Sequence, residues 1–352
     1  MKIQKLNNIS QDKISGALIG VFIGDAMGLP VECRSPDFIA ENFGYLDYFA
    51  SNSKHPYSNV AKSKPGTISD DSQLTLCMMK SLKNVYDINI IKQNHVEAFL
   101  GEWGAPLGWG NSTKKAIKLI LEKKEITHIE NSAGNGPVIK IAPLALYCYG
   151  RTIKSKYKKF TDHFNASLLQ KCFEVSKITH SDDGCVVACY CHTKALIRTL
   201  QNEMPFDSTE ISNLFISDAI YAEQKQNFSA KFSDRLKSIL LKKINFENEE
   251  YSAFDLTTQK ISKIICTEKS SYIYNSYPLV AYCIAKYFKY CNFTYAINET
   301  VNAGADADSN ASMVGSIIGA QVGYSFIPLN MISQVLGWKN LLQQTKDFCL
   351  SI

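Results

Sequence analysis

Two short acidic segments, more than two hundred residues apart, carry the residue types best suited to hold a hard cation. The first is Gly66-Thr67-Ile68-Ser69-Asp70-Asp71-Ser72 and the second is Asn302-Ala303-Gly304-Ala305-Asp306-Ala307-Asp308-Ser309. Each offers two carboxylates and a hydroxyl beside a helix start, with small neighbours that permit close backbone approach. Mg²⁺ takes several oxygen ligands, and carboxylates supply both geometry and charge. Four aspartates gathered without a cation would repel, and some would stay protonated. The joint pattern points to a shared metal site, with room for two ions that hold substrate oxygens and activate a water. Taken singly, each cluster reads more simply as a solvated helix cap. All-helical isoprenoid-diphosphate enzymes present a rival aspartate-rich pattern. That pattern needs a further acid one turn on, where this chain has Gln73 and Leu74.

Helical periodicity dominates the elements that must position these groups. Leu74, Cys77, Met78 and Leu82 share one face and predict a helix over 69–82, with Ser69, Asp70 and Asp71 at its capped start. Similar spacing predicts helices over 112–122, 137–149, 181–200, 277–290 and 308–324. Pro137 suits a first helical turn, and Ser181 suits a cap. Ser312, Gly315, Ser316, Gly319, Ala320 and Gly323 form a small-residue face that lets a neighbouring helix approach. Asp25 interrupts an apolar helix, which is costly unless it is hydrogen-bonded, and reads as a structural anchor near the site. Loops are expected over 33–67 and over the charged stretch at about 223–251, a surface insertion or irregular helical excursion. With hairpin patterns scarce, the expected fold is all-α: a single compact multi-helix domain spanning 1–352.

At 352 residues the chain can bury a full core. Its 38 basic and 33 acidic residues leave a net charge of +5, too weak and too spread to argue for nucleic acid. Eleven scattered cysteines fit reduced thiols in a cytosol-like compartment better than a bridged, secreted fold. Cys185, Cys189, Cys191 and His192 do not make a zinc set, since Cys191 leaves the shared helical face and no second pair answers them. Ile14–Gly24 imitates a signal-peptide core but runs straight into Asp25 without a cleavage region. No run is expected to span a membrane. A cytoplasmic location is therefore expected, with delivery into another cell without a signal peptide left open.

Six segments in order resemble the ADP-ribosylglycohydrolase family, whose branches include dinitrogenase reductase-activating glycohydrolases and ADP-ribosylarginine hydrolases. They are GALIGVFIGDAMGLPVE (Gly16–Glu32), GTISDDSQL (Gly66–Leu74), GWGNST (Gly108–Thr113), GNGPVIKIAPLAL (Gly134–Leu146), ITHS (Ile178–Ser181) and NAGADADSNASMVGSIIGAQVG (Asn302–Gly323). Ser69 replaces the usual threonine, Ile139-Lys140 the common Met-Arg, and Ala305 the commoner glycine, which could narrow the backbone approach.

The resemblance implies an all-α fold around two Mg²⁺ ions, with Mn²⁺ as a substitute. Carried over, Ser69, Asp70, Asp71, Asp306, Asp308 and Ser309 are the metal ligands. Asp70 and Asp71 are the candidates for orienting or deprotonating water, and Glu32 is a third catalytic candidate. Gly108, Trp109, Gly110, Gly134, Asn135, Gly136 and His180 would bind substrate, with helix N–H groups behind Gly-Asn-Gly receiving the diphosphate. Alone, Gly-Asn-Gly reads as a turn, His180 as a structural histidine, Trp109 as core and Glu32 as a surface residue. The implied activity is release of mono-ADP-ribose from modified proteins, with ADP-ribose as product and neither nucleic acid nor membrane as partner. The VECRSPDFI and GTISDDS contexts favour an arginine acceptor. The alternatives are an O-linked ADP-ribose hydrolase (serine or O-acetyl-ADP-ribose) and a non-catalytic ADP-ribose binder.

Overall fold

Glycine recurs at every fourth position along the first helix, α1 (Asn8–Gly28), at Gly16, Gly20, Gly24 and Gly28. Residues four apart share a helix face, so α1 carries a groove without side chains. The computed structural model describes residues 8–102, 104–122, 132–154, 161–229, 231–241, 244–246, 249–266 and 269–352. It lays that groove antiparallel against the helix Ala307–Val322, pairing Gly16 with Gly319, Gly20 with Gly315, Gly24 with Ala311 and Gly28 with Asp308. A Cβ on any of the four α1 glycines would stand within 3.0 Å of partner backbone. Ser312 Oγ adds a 3.1 Å hydrogen bond to the Val21 carbonyl.

After α1 come α2 (Pro36–Phe43), α3 (Ser58–Ala61), α4 (Asp70–Ser81), α5 (Ile88–Phe99) and α6 (Asn111–Leu121). Next are α7 (Gly136–Ile139), α8 (Ala142–Lys154), α9 (Asp162–Lys177), α10 (Asp183–Gln201), α11 (Ser208–Gln226) and α12 (Phe232–Leu240). The hairpin β1 (Ile244–Phe246) and β2 (Glu249–Tyr251), with Ile244 opposite Tyr251, holds the strands found among the described residues. The chain continues through α13 (Thr258–Ile265), α14 (Ile273–Tyr287), α15 (Phe293–Asn302), α16 (Ala307–Val322), α17 (Leu329–Gln334) and α18 (Trp338–Ser351). α1 and α16 form the central pair, with α4, α8, α10, α14, α15 and α18 packed around them. The all-α expectation holds.

Several local expectations shift. Residues 8–31 are long and apolar enough to cross a membrane, contrary to the sequence reading, but the apolar 18-residue window within them is 94% buried by the rest of the chain. The helix expected over 137–149 breaks after Ile139, and Lys140 and Ile141 form a turn before α8. Asp182, not Ser181, caps α10 by accepting the Gly184 N–H at 2.7 Å, while Ser181 Oγ lies 2.7 Å from Ser132 Oγ. α14 starts at Ile273, so Pro278 falls inside it. Proline has no N–H to offer the Tyr274 carbonyl, and Arg235 Nε donates to it instead at 2.9 Å. The stretch expected as a charged insertion supplies α12, which buries Phe232, Leu236, Ile239 and Leu240. The 33–67 loop also contains α2, capped by Ser35, and the single turn of α3.

Candidate metal and active site

Asp25 sits in the last turn of α1, fully buried. Its two carboxylate oxygens accept the Ser69 N–H at 3.0 and 2.8 Å, the Ser69 hydroxyl at 2.8 Å and the Ser72 N–H at 3.1 Å. The start of α4 is thus capped from another helix, and Ser69 makes no side-chain cap of its own. Burial pushes the Asp25 carboxyl up to about 6, against the pull of those serine hydrogen bonds. With the helix start fixed, successive side chains diverge. Asp71 turns inward and is buried, whereas Asp70 stays part-exposed and lines the neighbouring cavity.

The second cluster is placed by backbone. Gly304 and Ala305 both take positive φ, +65° and +59°, and turn the chain into α16. The Cys33 N–H donates to the Ala305 carbonyl at 2.7 Å, and the Ala305 N–H donates to the Arg34 carbonyl at 2.8 Å. A side chain at 304 would collide with the Arg34 carbonyl, so glycine is needed there. Ala305 does not prevent the approach, although its φ is one that L-residues adopt only with strain. This stitch carries Glu32 to the start of α16.

Two carboxylate groups result, Asp25/Asp71/Asp308 and Glu32/Asp306/Asp308, each with one oxygen per residue within 4.8 Å of the others. Asp308 belongs to both. Asp71 Oδ1 and Asp308 Oδ1 are buried and have no hydrogen-bond partner among the described residues. Ser309 Oγ donates to Asp71 Oδ2 at 3.3 Å, and Ser69 Oγ lies 3.4 Å from the same atom. Asn135 Nδ2 donates to Asp306 Oδ2 at 2.6 Å. Burial, then the Glu32 charge, pushes Asp306 up to about 7. Asp70, Asp71 and Asp308 are driven well above the carboxylate range, first by burial and then by one another and by Glu32 and Asp25. Orphaned buried oxygens, an all-oxygen donor set and mutual repulsion fit a hard dication.

Of the six expected ligands, Ser69, Asp71, Asp306, Asp308 and Ser309 converge, whereas Asp70 belongs to neither carboxylate group. Asp25, read as an anchor only, both caps α4 and joins one group. Sequence reasoning also missed His55. Its Nδ1 accepts the Tyr57 N–H at 3.1 Å, so Nε2 bears the proton and donates to Glu32 Oε2 at 2.8 Å. Nothing in the Ser-, Pro- and Asn-rich 33–67 stretch marks that histidine.

A cavity of about 1080 Å³ opens beside the carboxylates, lined by Glu32, Asp70, Asp306 and Asp308 and by the Gly108–Gly110, Gly134–Gly136 and His180 segments. Gly108 sits beside Asp70 at φ +79°, a backbone conformation that glycine takes without strain. Trp109 borders the cavity but is only 2% exposed, tied through Nε1 to Gln73 Oε1 at 2.7 Å and tilted on Phe99. Gly110 is the N-cap of α6. A diphosphate cradle is expected behind Gly-Asn-Gly, where the helix is short. α7 has only four residues, and the Asn135 N–H is already bonded to the Ser271 carbonyl at 2.9 Å. Asn135 directs its amide to Asp306 and Ser276. His180 packs against Gly134 and Gly136, and burial holds its imidazole down to about 3.

The sequence profile of the family described as ADP-ribosylglycohydrolase matches residues 6–351. The chain is 23% identical over 331 residues to the ADP-ribosyl-[dinitrogen reductase] glycohydrolase of Rhodospirillum rubrum, covering 92% of this chain and 90% of that protein. It is 25% identical over 352 residues to an ADP-ribosylarginine hydrolase of Serratia proteamaculans, covering 95% of this chain and 79% of the relative. A solved structure titled an ADP-ribosylglycohydrolase-related protein complex superposes with a TM-score of 0.67 at 17% identity, over 98% of this chain and all of the other.

Proposed function

The chain belongs to the ADP-ribosylglycohydrolase family, and from that premise we propose that it releases mono-ADP-ribose from arginine side chains of modified proteins in a Mg²⁺-dependent hydrolysis. The observation carrying this reading is the pair of carboxylate groups sharing Asp308, with orphaned oxygens, at the wall of a cavity large enough for an ADP-ribosyl group. One relative, named an ADP-ribosylarginine hydrolase, supports the acceptor, and another, named for ADP-ribosyl-[dinitrogen reductase], supports a modified protein as substrate.

Asp25, Asp71, Asp306 and Asp308, with Glu32, would hold the cations. Bound there, a hard dication would polarise substrate oxygens and acidify a water. The chain's own groups supply the rest. Positive charge building at the ribose anomeric carbon meets a wall of carboxylates. Glu32, oriented by the His55 N–H, is placed to take up the attacking water's proton as the C–O bond forms. Asp70, which lines the same cavity, is the carboxyl placed to return a proton to the guanidine as the C–N bond breaks.

The test measures free ADP-ribose released from matched arginine- and serine-linked substrates, with Mg²⁺ and with chelator. Mg²⁺-dependent release from arginine alone is expected, and Asp70→Asn should lower it by about 10²–10⁴-fold. Release from serine would transfer the assignment to the O-linked reading. Tight ADP-ribose binding without any release would make the protein a binder.

A further inference from the structure

Lys140, in the turn between α7 and α8, is fully buried. A buried ammonium is costly unless its N–H groups are taken up. Here Nζ lies 3.0 Å from His95 Nε2 and 3.3 Å from Thr179 Oγ1. His95 Nδ1 lies 2.7 Å from the Ile91 carbonyl, which can only accept, so Nδ1 is protonated and Nε2 receives the lysine. The ammonium is a donor only, so Thr179 Oγ1 must accept from it and has its own proton to give. Among the described residues the acceptor placed for that proton is His180 Nδ1, at 3.0 Å. With Nδ1 occupied as an acceptor, a neutral His180 carries its proton on Nε2. Burial, and after it the Lys140 charge, keeps the ring neutral. Ideal Cβ positions on Gly134 and Gly136 fall only 3.2 and 3.3 Å from Nε2, so this edge of the ring lies at the glycine segment of the cavity wall.

We propose that Lys140 and Thr179 are positioning residues that fix His180 as an Nε2–H donor to a phosphate or ribose oxygen of the bound ADP-ribosyl group. The ligand part rests on the function proposed above; the proton assignment stands on the unliganded geometry. Each link has one direction, running from a carbonyl and an ammonium in the core to a ring nitrogen at the cavity.

The test uses the full-length protein labelled with ¹⁵N at its six histidines, with the His180 signals assigned by difference against His180→Gln. Without ligand, the expected spectrum shows His180 Nδ1 unprotonated and Nε2 protonated. Thr179→Val, which removes the hydroxyl, should mix the tautomers and weaken ADP-ribose binding about tenfold in calorimetry. Thr179→Ser should restore both. Lys140→Met, which fills similar volume without charge, should also mix the tautomers, and it serves as the second variant should Thr179→Val fail to fold. A proton on Nδ1 in the parent protein, or tautomers unmoved by the variants, would overturn the proton assignment. Altered tautomers with unaltered ADP-ribose affinity would overturn the ligand part. A parent protein that binds no ADP-ribose would sink the ligand part together with the proposed function, while the nitrogen signals still decide the proton.

Discussion

Replacing Gly20 by alanine sets two effects of known sign against each other. Alanine is the better helix former, by about 1 kcal/mol in a helix interior. Against that, its methyl would enter the Gly315 carbonyl, well inside 3.0 Å, and backbone cannot rotate away as a side chain does. Relief requires α1 and α16 to part, which loosens the neighbouring Gly16, Gly24 and Gly28 contacts as well. Overpacking costs typically about 1–3 kcal/mol, and contact with rigid backbone puts this case at the upper end. The net expectation is destabilisation by about 2 kcal/mol. With about 2.1 cal/mol/K of unfolding entropy per residue, 352 residues carry about 0.7 kcal/mol per degree, so Tm should fall by about 3 °C. The same separation moves Asp25 away from Asp308, so the Tm gain from Mg²⁺ should shrink too. Differential scanning calorimetry with Mg²⁺ and with chelator reads both effects. A rise in Tm, as helix propensity alone requires, would refute the packing argument.

The raised carboxyls also set a pH dependence. An acid whose folded pKa exceeds its ordinary 3.8 contributes stability that is present below that value and lost as pH rises, through about 6 for Asp25 and about 7 for Asp306. Mg²⁺ competes with those protons, so its stabilising effect should be small at about pH 5 and grow to about pH 8 in thermal shift; a Mg²⁺ effect independent of pH would count against the carboxylate site. Ala305→Gly should relieve the strain at φ +59° and, after the extra entropy of an unfolded glycine, stabilise by up to about 1 kcal/mol in urea denaturation. His55→Ala should lower kcat about tenfold or more with little change in KM, while His55→Gln, able to donate to Glu32, should keep most of the rate. Equal loss in both His55 variants would mean that the ring's packing, not its N–H, is what matters.

What could be read from sequence was local. The start of α4 at Asp70 and that of α16 at Ala307 fall within one residue of expectation, because capping residues and apolar spacing lie within a few positions of each boundary. The hard-cation chemistry was equally legible, since each acidic cluster is contiguous. Lys140 was hidden by reading 137–149 as one helix, whereas the break after Ile139 places it in a turn below the cavity. Asp25 was hidden by distance. Its hydrogen bonds to Ser69 span 44 residues, and an apolar helix interrupted by one acid looks the same whether that acid is an anchor or a metal ligand. The signal that separates the two readings is the four-residue glycine period in α1, complementary to the small face of α16. A helix face without side chains buries little apolar area unless another backbone comes against it. The register that joins these faces sets Gly28 on Asp308 and brings Asp25, Asp71 and Asp308 within 4.8 Å. Neither acidic motif alone holds three carboxylates in that arrangement, so the site is a consequence of how α1 packs on α16.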